Sequence, residues 1–214
     1  MPLTLYYHPL SSYCWKALIG LYENGVAFDP VIVDLGDASS RAAFQAIWPA
    51  GKFPVLKDGE TVVPEATVIL EYLDSFHPGP VRFVPSDPGA AWRTRLADRV
   101  FDLHLHQHMQ RIVADRLRPA DDKDPYGVAD ERTKLVGGYR LAEHLLADGE
   151  TLSGGAFGLA ECAAFPALHY GDKVHPIGPE FPRLRAYLER LTARPSVQRV
   201  LDEAQPYFQY FPTE

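Results

Sequence analysis

Cysteine is scarce in this chain, with only Cys14 and Cys162 in 214 residues, and that scarcity excludes a disulfide framework or a cysteine-rich metal site. Basic charge is short as well. With 21 Lys and Arg against 28 Asp and Glu the net charge is −7, whereas neutralising a phosphate backbone takes a surplus of cations, so nucleic acid is excluded as the main partner. Also missing is any apolar run long enough to span a bilayer. The N-terminal Met1-Pro2-Leu3-Thr4-Leu5-Tyr6-Tyr7 lacks the basic start of a signal peptide. The expectation is a cytoplasmic protein in a reducing compartment with no membrane partner, able to bury a substantial core in one large or two small domains.

What is present divides into two characters. Leu3 to Tyr7 reads as a buried strand closed by His8-Pro9. Ser11 and Ser12 then offer N-caps to a helix carrying Ala17, Leu18, Leu21 and Tyr22 that ends at Asn24-Gly25. Phe28 to Leu35 predicts a second strand and Ser40 to Ile47 a short helix. Val55 to Lys57 and Thr61 to Val63 predict a hairpin turning at Asp58-Gly59. A helix over Glu65 to Phe76 completes a β-α-β-α-β-β-α order, a small α/β domain over residues 1–77. Helix breakers fill residues 78–88, which read as a linker, and residues 89–214 read as all-helical. A long helix is predicted from Ala90 to Leu117, with Leu96, Val100, Phe101, Leu105, Met109 and Ile112 at helical spacing, and others near Val128 to Ala147, Leu159 to Tyr170, Phe181 to Leu191 and Ser196 to Ala204.

Ser11-Ser12-Tyr13-Cys14 lies between the first strand and the first helix, where amide N–H groups and the helix dipole favour a negatively charged ligand atom. Cys14 should face the sheet as a small buried hydrophobe rather than act as a nucleophile. Ser11, with Ser12 as the near alternative, is the better candidate, a hydroxyl donor to a thiolate that a ligand supplies, although both serines also suit simple capping. In Gly51-Lys52-Phe53-Pro54-Val55-Leu56 the proline belongs at a strand start or edge. A cis Phe53-Pro54 bond would leave the Phe53 N–H and C=O facing outward, ready to pair with an extended peptide. Pro64-Glu65-Ala66-Thr67 opens the next helix. His104 and His108, four apart, raise a metal site, but Asp102 falls on a different face and no third ligand completes the set, so no metal is expected. Tyr207-Phe208-Gln209-Tyr210-Phe211 reads as core packing.

Taken in order, strand, Ser-Ser-Tyr-Cys, helix, Gly-Lys-Phe-Pro-Val-Leu, Pro-Glu-Ala-Thr and helix resemble the cytosolic glutathione S-transferases over almost the full length, in particular theta- and zeta-like bacterial members with an N-terminal serine. The serine segment is also similar to the Cys-Pro-Tyr-Cys of glutaredoxins, with Ser11 in the place of the reactive cysteine. The resemblance implies a thioredoxin-like N-terminal domain followed by a helical C-terminal domain. It implies an enzyme that takes glutathione as co-substrate and activates its thiol for attack on a small apolar electrophile, and a homodimer. A glutathione-dependent isomerase or dehalogenase, or a non-catalytic scaffold, are the alternatives. Carried over residue by residue, Ser11, or Ser12, would activate the thiol, and the Phe53 backbone ahead of Pro54 would pair with the cysteinyl unit. Lys52 would meet the glycyl carboxylate and Glu65 the γ-glutamyl ammonium. Ala66 replaces the family's serine and offers only its N–H to the γ-glutamyl carboxylate, with the Thr67 hydroxyl as a substitute. The helix bearing His104, His108 and Arg111 would border the electrophile pocket. Phe157-Gly158-Leu159-Ala160-Glu161 departs from the family's capping box, a change that costs about a few tenths of a kcal/mol at the N-cap.

Overall fold

The computed structural model describes residues 2–149 and 151–213. Leu3 and Leu5 point into the core from β1 (Leu3–Tyr7), which pairs in parallel with β2 (Phe28–Ile32). A parallel pair needs a crossover, and α1 (Ser12–Glu23) supplies it, ending at Gly25 with φ of 60°. β3 (Val55–Asp58) runs antiparallel to β1 and to β4 (Thr61–Pro64), giving the order β2-β1-β3-β4. Gly59, at φ of 57°, makes the tight turn of the hairpin. β2 stops at Ile32 rather than Leu35 because its partner, β1, ends at Tyr7, opposite Ile32; it is the edge strand, and Pro30, having no N–H, blunts that edge. α2 (Ala38–Ile47) covers a small cluster of Val33, Phe44 and Val55, and α3 (Ala66–Phe76) packs beside α1. At Gly20 a Cβ would lie 2.1 Å from Leu70 Cδ2, so α1 and α3 approach closely only because that position is glycine.

The connector between α3 and α4 is anchored at both ends. Asp74 accepts from the Phe83 and Val84 N–H groups, Asn24 clasps Val81 through both its amide atoms, and Phe83 is fully buried. Beyond it the predicted single helix is broken into α4 (Pro88–Val100), a π-helical turn over Phe101–His106, and α5 (Gln107–Arg116). The π turn buries Phe101, Asp102, Leu105 and His106 together and leaves Leu103 exposed. α6 (Pro125–Leu145) reaches this turn through Gly138, where a Cβ would lie 2.1 Å from the His104 carbonyl oxygen. Such turns sit frequently at functional sites.

α7 (Leu159–Val174) is the central helix, buried along nearly its whole length, with α8 (Pro182–Thr192) and α9 (Pro195–Ala204) outside it. Its unusual glycine N-cap has a steric cause: a Cβ on Gly158 would lie 2.7 Å from Ser153 Cβ and 2.8 Å from the Phe83 carbonyl. The missing cap is supplied from a distance. Ser153 Oγ accepts from the Ala160 N–H, and Glu161 accepts from the N–H groups of Gly158 and Leu152. One apolar core runs through both parts of the chain, joining Leu5, Trp15, Leu18 and Leu70 to Phe101, Leu105, Phe165 and Leu168.

Candidate functional site

Two depressions meet at Phe53. One, of about 250 Å³, is walled by Tyr13, Pro54 and Ala66 and by the charged Lys52, Glu65, Arg99 and Asp102, and is the polar depression of the two. The other, of about 280 Å³, is walled by His8, Ser11, Ser12, Met109, Gln110, Val113, Leu117, Tyr170, Tyr210 and Phe211 and is largely apolar. The Phe53-Pro54 peptide is cis, and the β1·β3 register begins at the Tyr6↔Val55 pair, so Phe53 stands outside the ladder. Among the described residues its N–H and C=O make no backbone hydrogen bond. The Phe53 ring stacks on His8 at 6.1 Å between centroids and is fixed there between the two depressions. Lys52 is exposed beside it.

On the other side of the polar depression Glu65 occupies the N-cap of α3 at φ of 68°. Positive φ on a non-glycine residue costs about 1 to 3 kcal/mol and is held only where the surroundings enforce it. The Glu65 carboxylate makes no capping hydrogen bond, so the strained position presents it to the depression rather than to its own helix. Ala66 follows as the first helical residue, where backbone N–H groups have no intrahelical acceptor. The Thr67 hydroxyl is not available to a ligand. It accepts from Lys16 Nζ at 2.7 Å and from Arg99 at 2.7 Å and lies 3.2 Å from Asp98, deep in an ion cluster. In that cluster Lys16, with no exposure, lies 2.5 Å from Asp98 and 2.8 Å from Asp102, and Arg99 lies 2.7 Å from each of the same carboxylates. Two cations balance two anions there. α1, α3 and the α4 end of the helical half are thereby joined directly beneath the polar depression, whose floor includes Asp102.

At the apolar end Ser11 is the N-cap of α1, and its Oγ accepts from the Cys14 N–H at 3.3 Å. Cys14 is buried, and burial pushes its thiol up to about 12, against the lowering effect of hydrogen bonds from Ser11 and from the His8 backbone. That leaves it protonated and inert. Ser12 is buried too, with its Oγ 2.5 Å from His106 Nε2 and 2.8 Å from Gln110 Nε2. The Tyr13 ring lies flat on His106, 3.7 Å between centroids at 9°. Burial, aided by the nearby Lys16 charge, brings His106 down to about 3, so the ring is neutral near physiological pH. His106, Gln110, Lys16 and Asp98 are not announced by the sequence, because the π turn sets which residues of the α4–α5 stretch face inward and Lys16 of α1 is buried against carboxylates of that stretch.

Three expectations for the helical wall are corrected. His108 Nδ1 lies 2.6 Å from Glu131 and Arg111 donates to the same carboxylate at 2.8 Å, so both clasp α6, while His104 is exposed on the π turn. None of the three lines either depression. The face of α5 that does so carries Met109, Gln110 and Val113, continued by Leu117 at the C-cap. Of the C-terminal aromatics read as core packing, Phe208 packs on Trp15 and Tyr170, whereas Tyr210 and Phe211 wall the apolar depression. Among the described residues no group of three or more His, Cys, Asp or Glu is placed to hold a metal ion.

The buried histidines couple stability to pH. His169 is also brought down, to about 4, by burial and the neighbouring Lys173. A histidine whose folded pKa lies below its unfolded value of about 6.5 is protonated first in the unfolded chain, so its contribution is complete above that value and is lost as pH falls. Urea unfolding should therefore show stability falling by roughly 2 to 4 kcal/mol between about pH 7 and about pH 5, before the carboxylates titrate. A flat profile over that interval contradicts the burial of neutral His106 and His169.

Comparison with known proteins agrees with this architecture. Residues 5–81 match the glutathione S-transferase N-terminal domain and residues 90–190 the C-terminal domain. Glutathione S-transferase 3 of Zea mays is 30% identical, with 94% of this chain and 93% of that protein covered. Glutathione S-transferase Z2 of Arabidopsis thaliana is 29% identical, with 95% and 92% covered. Among solved structures, a glutathione S-transferase of Methylobacterium radiotolerans in complex with glutathione sulfonate superposes with a TM-score of 0.78 at 26% identity, covering 94% of each chain. With both of its parts matched and a relative aligned across nearly its whole length, the chain belongs to the glutathione S-transferase family.

Proposed function

We propose that the protein is a glutathione transferase that lays glutathione across Phe53, with the γ-glutamyl end in the polar depression and the sulfur at the serine-bearing entrance to α1. The single observation that carries this reading is the convergence on one unpaired backbone edge of an exposed lysine, a carboxylate free of capping duty and a helix N-terminus bearing two hydroxyls. The Phe53 N–H and C=O pair with the cysteinyl unit as an added strand does. Lys52 takes the glycyl carboxylate and Glu65 the ammonium. Ala66 offers its N–H to the γ-glutamyl carboxylate, helped by the positive end of the α3 dipole. Thr67 takes no part, being committed to the ion cluster.

The sulfur is then held as a thiolate at Ser11 and faces the apolar depression, where Met109, Val113, Leu117, Tyr170 and Phe211 seat a small apolar electrophile. A thiol near pKa 8.5 lowered by two requires about 2.7 kcal/mol of preference for the anion. One hydroxyl bond to an anion supplies about 1.5 to 3 kcal/mol, and the α1 N-terminus adds to it. The thiolate attacks the electrophilic atom and a carbon–sulfur bond forms, by addition or with departure of a leaving group. Val68 and Phe76 on α3 and Trp92 and Leu96 on α4 are large apolar side chains left exposed, which a homodimer contact would cover.

The experiment that tests the binding assignment is calorimetric titration of wild type and Glu65→Gln with glutathione. The dissociation constant should rise about tenfold or more, because an ammonium loses its charged partner. An unchanged constant would remove Glu65 from the site.

A further inference from the structure

A serine hydroxyl has one proton and two lone pairs. At Ser12 both lone pairs are claimed. Gln110 Nε2 is a donor only and lies 2.8 Å from Ser12 Oγ. His106 Nε2 lies 2.5 Å away on the other side. The other ring nitrogen, His106 Nδ1, is buried without a partner. Were Nδ1 protonated, a buried N–H would be orphaned, which folded proteins tolerate less readily than a bare acceptor. The proton therefore sits on Nε2 and is donated to Ser12. Tyr13, stacked on the ring, holds it in that orientation. With two donors filling its lone pairs, the Ser12 O–H has to donate elsewhere, and among the described residues no protein acceptor receives it. The cleft that Ser12 lines, together with Ser11 and Phe53, is the remaining direction.

We propose that Ser12 is a second hydrogen-bond donor to the glutathione sulfur, beside Ser11, and that His106 and Gln110 are positioning residues which oblige its proton to point into the cleft. This rests on the reading of the cleft as a glutathione site. A hydroxyl that receives two hydrogen bonds is polarised into a stronger donor, so the two neighbours add to thiolate stabilisation without touching the ligand. The two serines thereby differ in role. Ser11 caps α1 and meets the sulfur from the helix end, whereas Ser12 meets it from the helical half of the molecule through α5.

The test measures the bound thiol by its ultraviolet thiolate absorbance as a function of pH, with calorimetric glutathione affinity alongside, in wild type, Ser12→Ala and Gln110→Glu. Ser12→Ala should reduce the thiolate fraction at neutral pH by about tenfold while the dissociation constant moves less than about threefold. Gln110→Glu is the sharper arm. Its carboxylate accepts where the amide donated and captures the Ser12 proton, so it should reproduce the loss with Ser12 still present, and its half-buried side chain lets the variant fold. His106→Gln, which keeps a donor, should retain more thiolate than His106→Phe, which keeps only the stack on Tyr13. A bound thiol that titrates as in wild type in both Ser12→Ala and Gln110→Glu overturns the role of Ser12 and leaves the glutathione site standing. Wild-type protein that binds no glutathione overturns the site itself.

Discussion

Replacing Ser11 by alanine lowers turnover of a generic electrophile by about one to three orders of magnitude, by analogy with removal of an oxyanion donor, and leaves glutathione affinity nearly unchanged. The split follows from where Ser11 sits. It is the N-cap of α1, on the apolar side of Phe53, while the groups proposed to hold the ends of the peptide lie on the polar side. An interaction with the thiolate is worth most when the charge is formed, so its loss is felt in kcat more than in binding. The deletion also removes the acceptor of the Cys14 N–H, a capping loss of about 0.5 to 2 kcal/mol in stability. Steady-state kinetics with saturating glutathione, together with a thermal melt, keep the two effects apart. Equal kinetics in Ser11→Ala and wild type would contradict the assignment of Ser11.

Lys16→Met should cost about 3 to 5 kcal/mol of stability, because it leaves the buried Asp98 and Asp102 carboxylates without one of their two cations. In a chain of this size that loss lowers the melting temperature by roughly 6 to 20 °C. The surface pair of Arg95 and Glu71, 2.9 Å apart and substantially exposed on both sides, provides the contrast. Arg95→Ala should cost less than about 1 kcal/mol. Because Lys16 belongs to α1, Thr67 to α3 and Asp98 to α4, its removal loosens the joint on which the polar depression is built. Similar melting temperatures for the Lys16 and Arg95 variants would show that the cluster does not hold the two halves together.

The sheet and its turns were legible in the sequence because each depends on a local rule. Asn24-Gly25 and Asp58-Gly59 are readable since both glycines take φ near 60°, which other residues avoid. Pro54 marks a strand boundary by the donor it lacks. The serine pair and Glu65 are readable as residues at helix starts. Less legible was everything set by helix phase. An unbroken helix from Ala90 to Leu117 misassigns the inward face, and the π turn decides that His106 is buried while His104 is exposed. Lysine is among the residues least often fully buried, so Lys16 inside α1 is visible only with its two carboxylate partners, which are supplied from 82 and 86 residues away along the chain. Of the capping box of α7 only the Glu161 half, on the Gly158 N–H, is local, whereas the capping hydroxyl is that of Ser153, from outside the helix.

The central claim is that glutathione binds across Phe53 with its thiol ionised at the α1 entrance. The most direct test is a titration of the wild-type protein with glutathione at neutral pH, followed by ultraviolet difference absorbance of the thiolate. A thiolate band that grows to saturation at one glutathione per chain is the predicted result. Saturable binding without a thiolate band, or no binding, would contradict the claim.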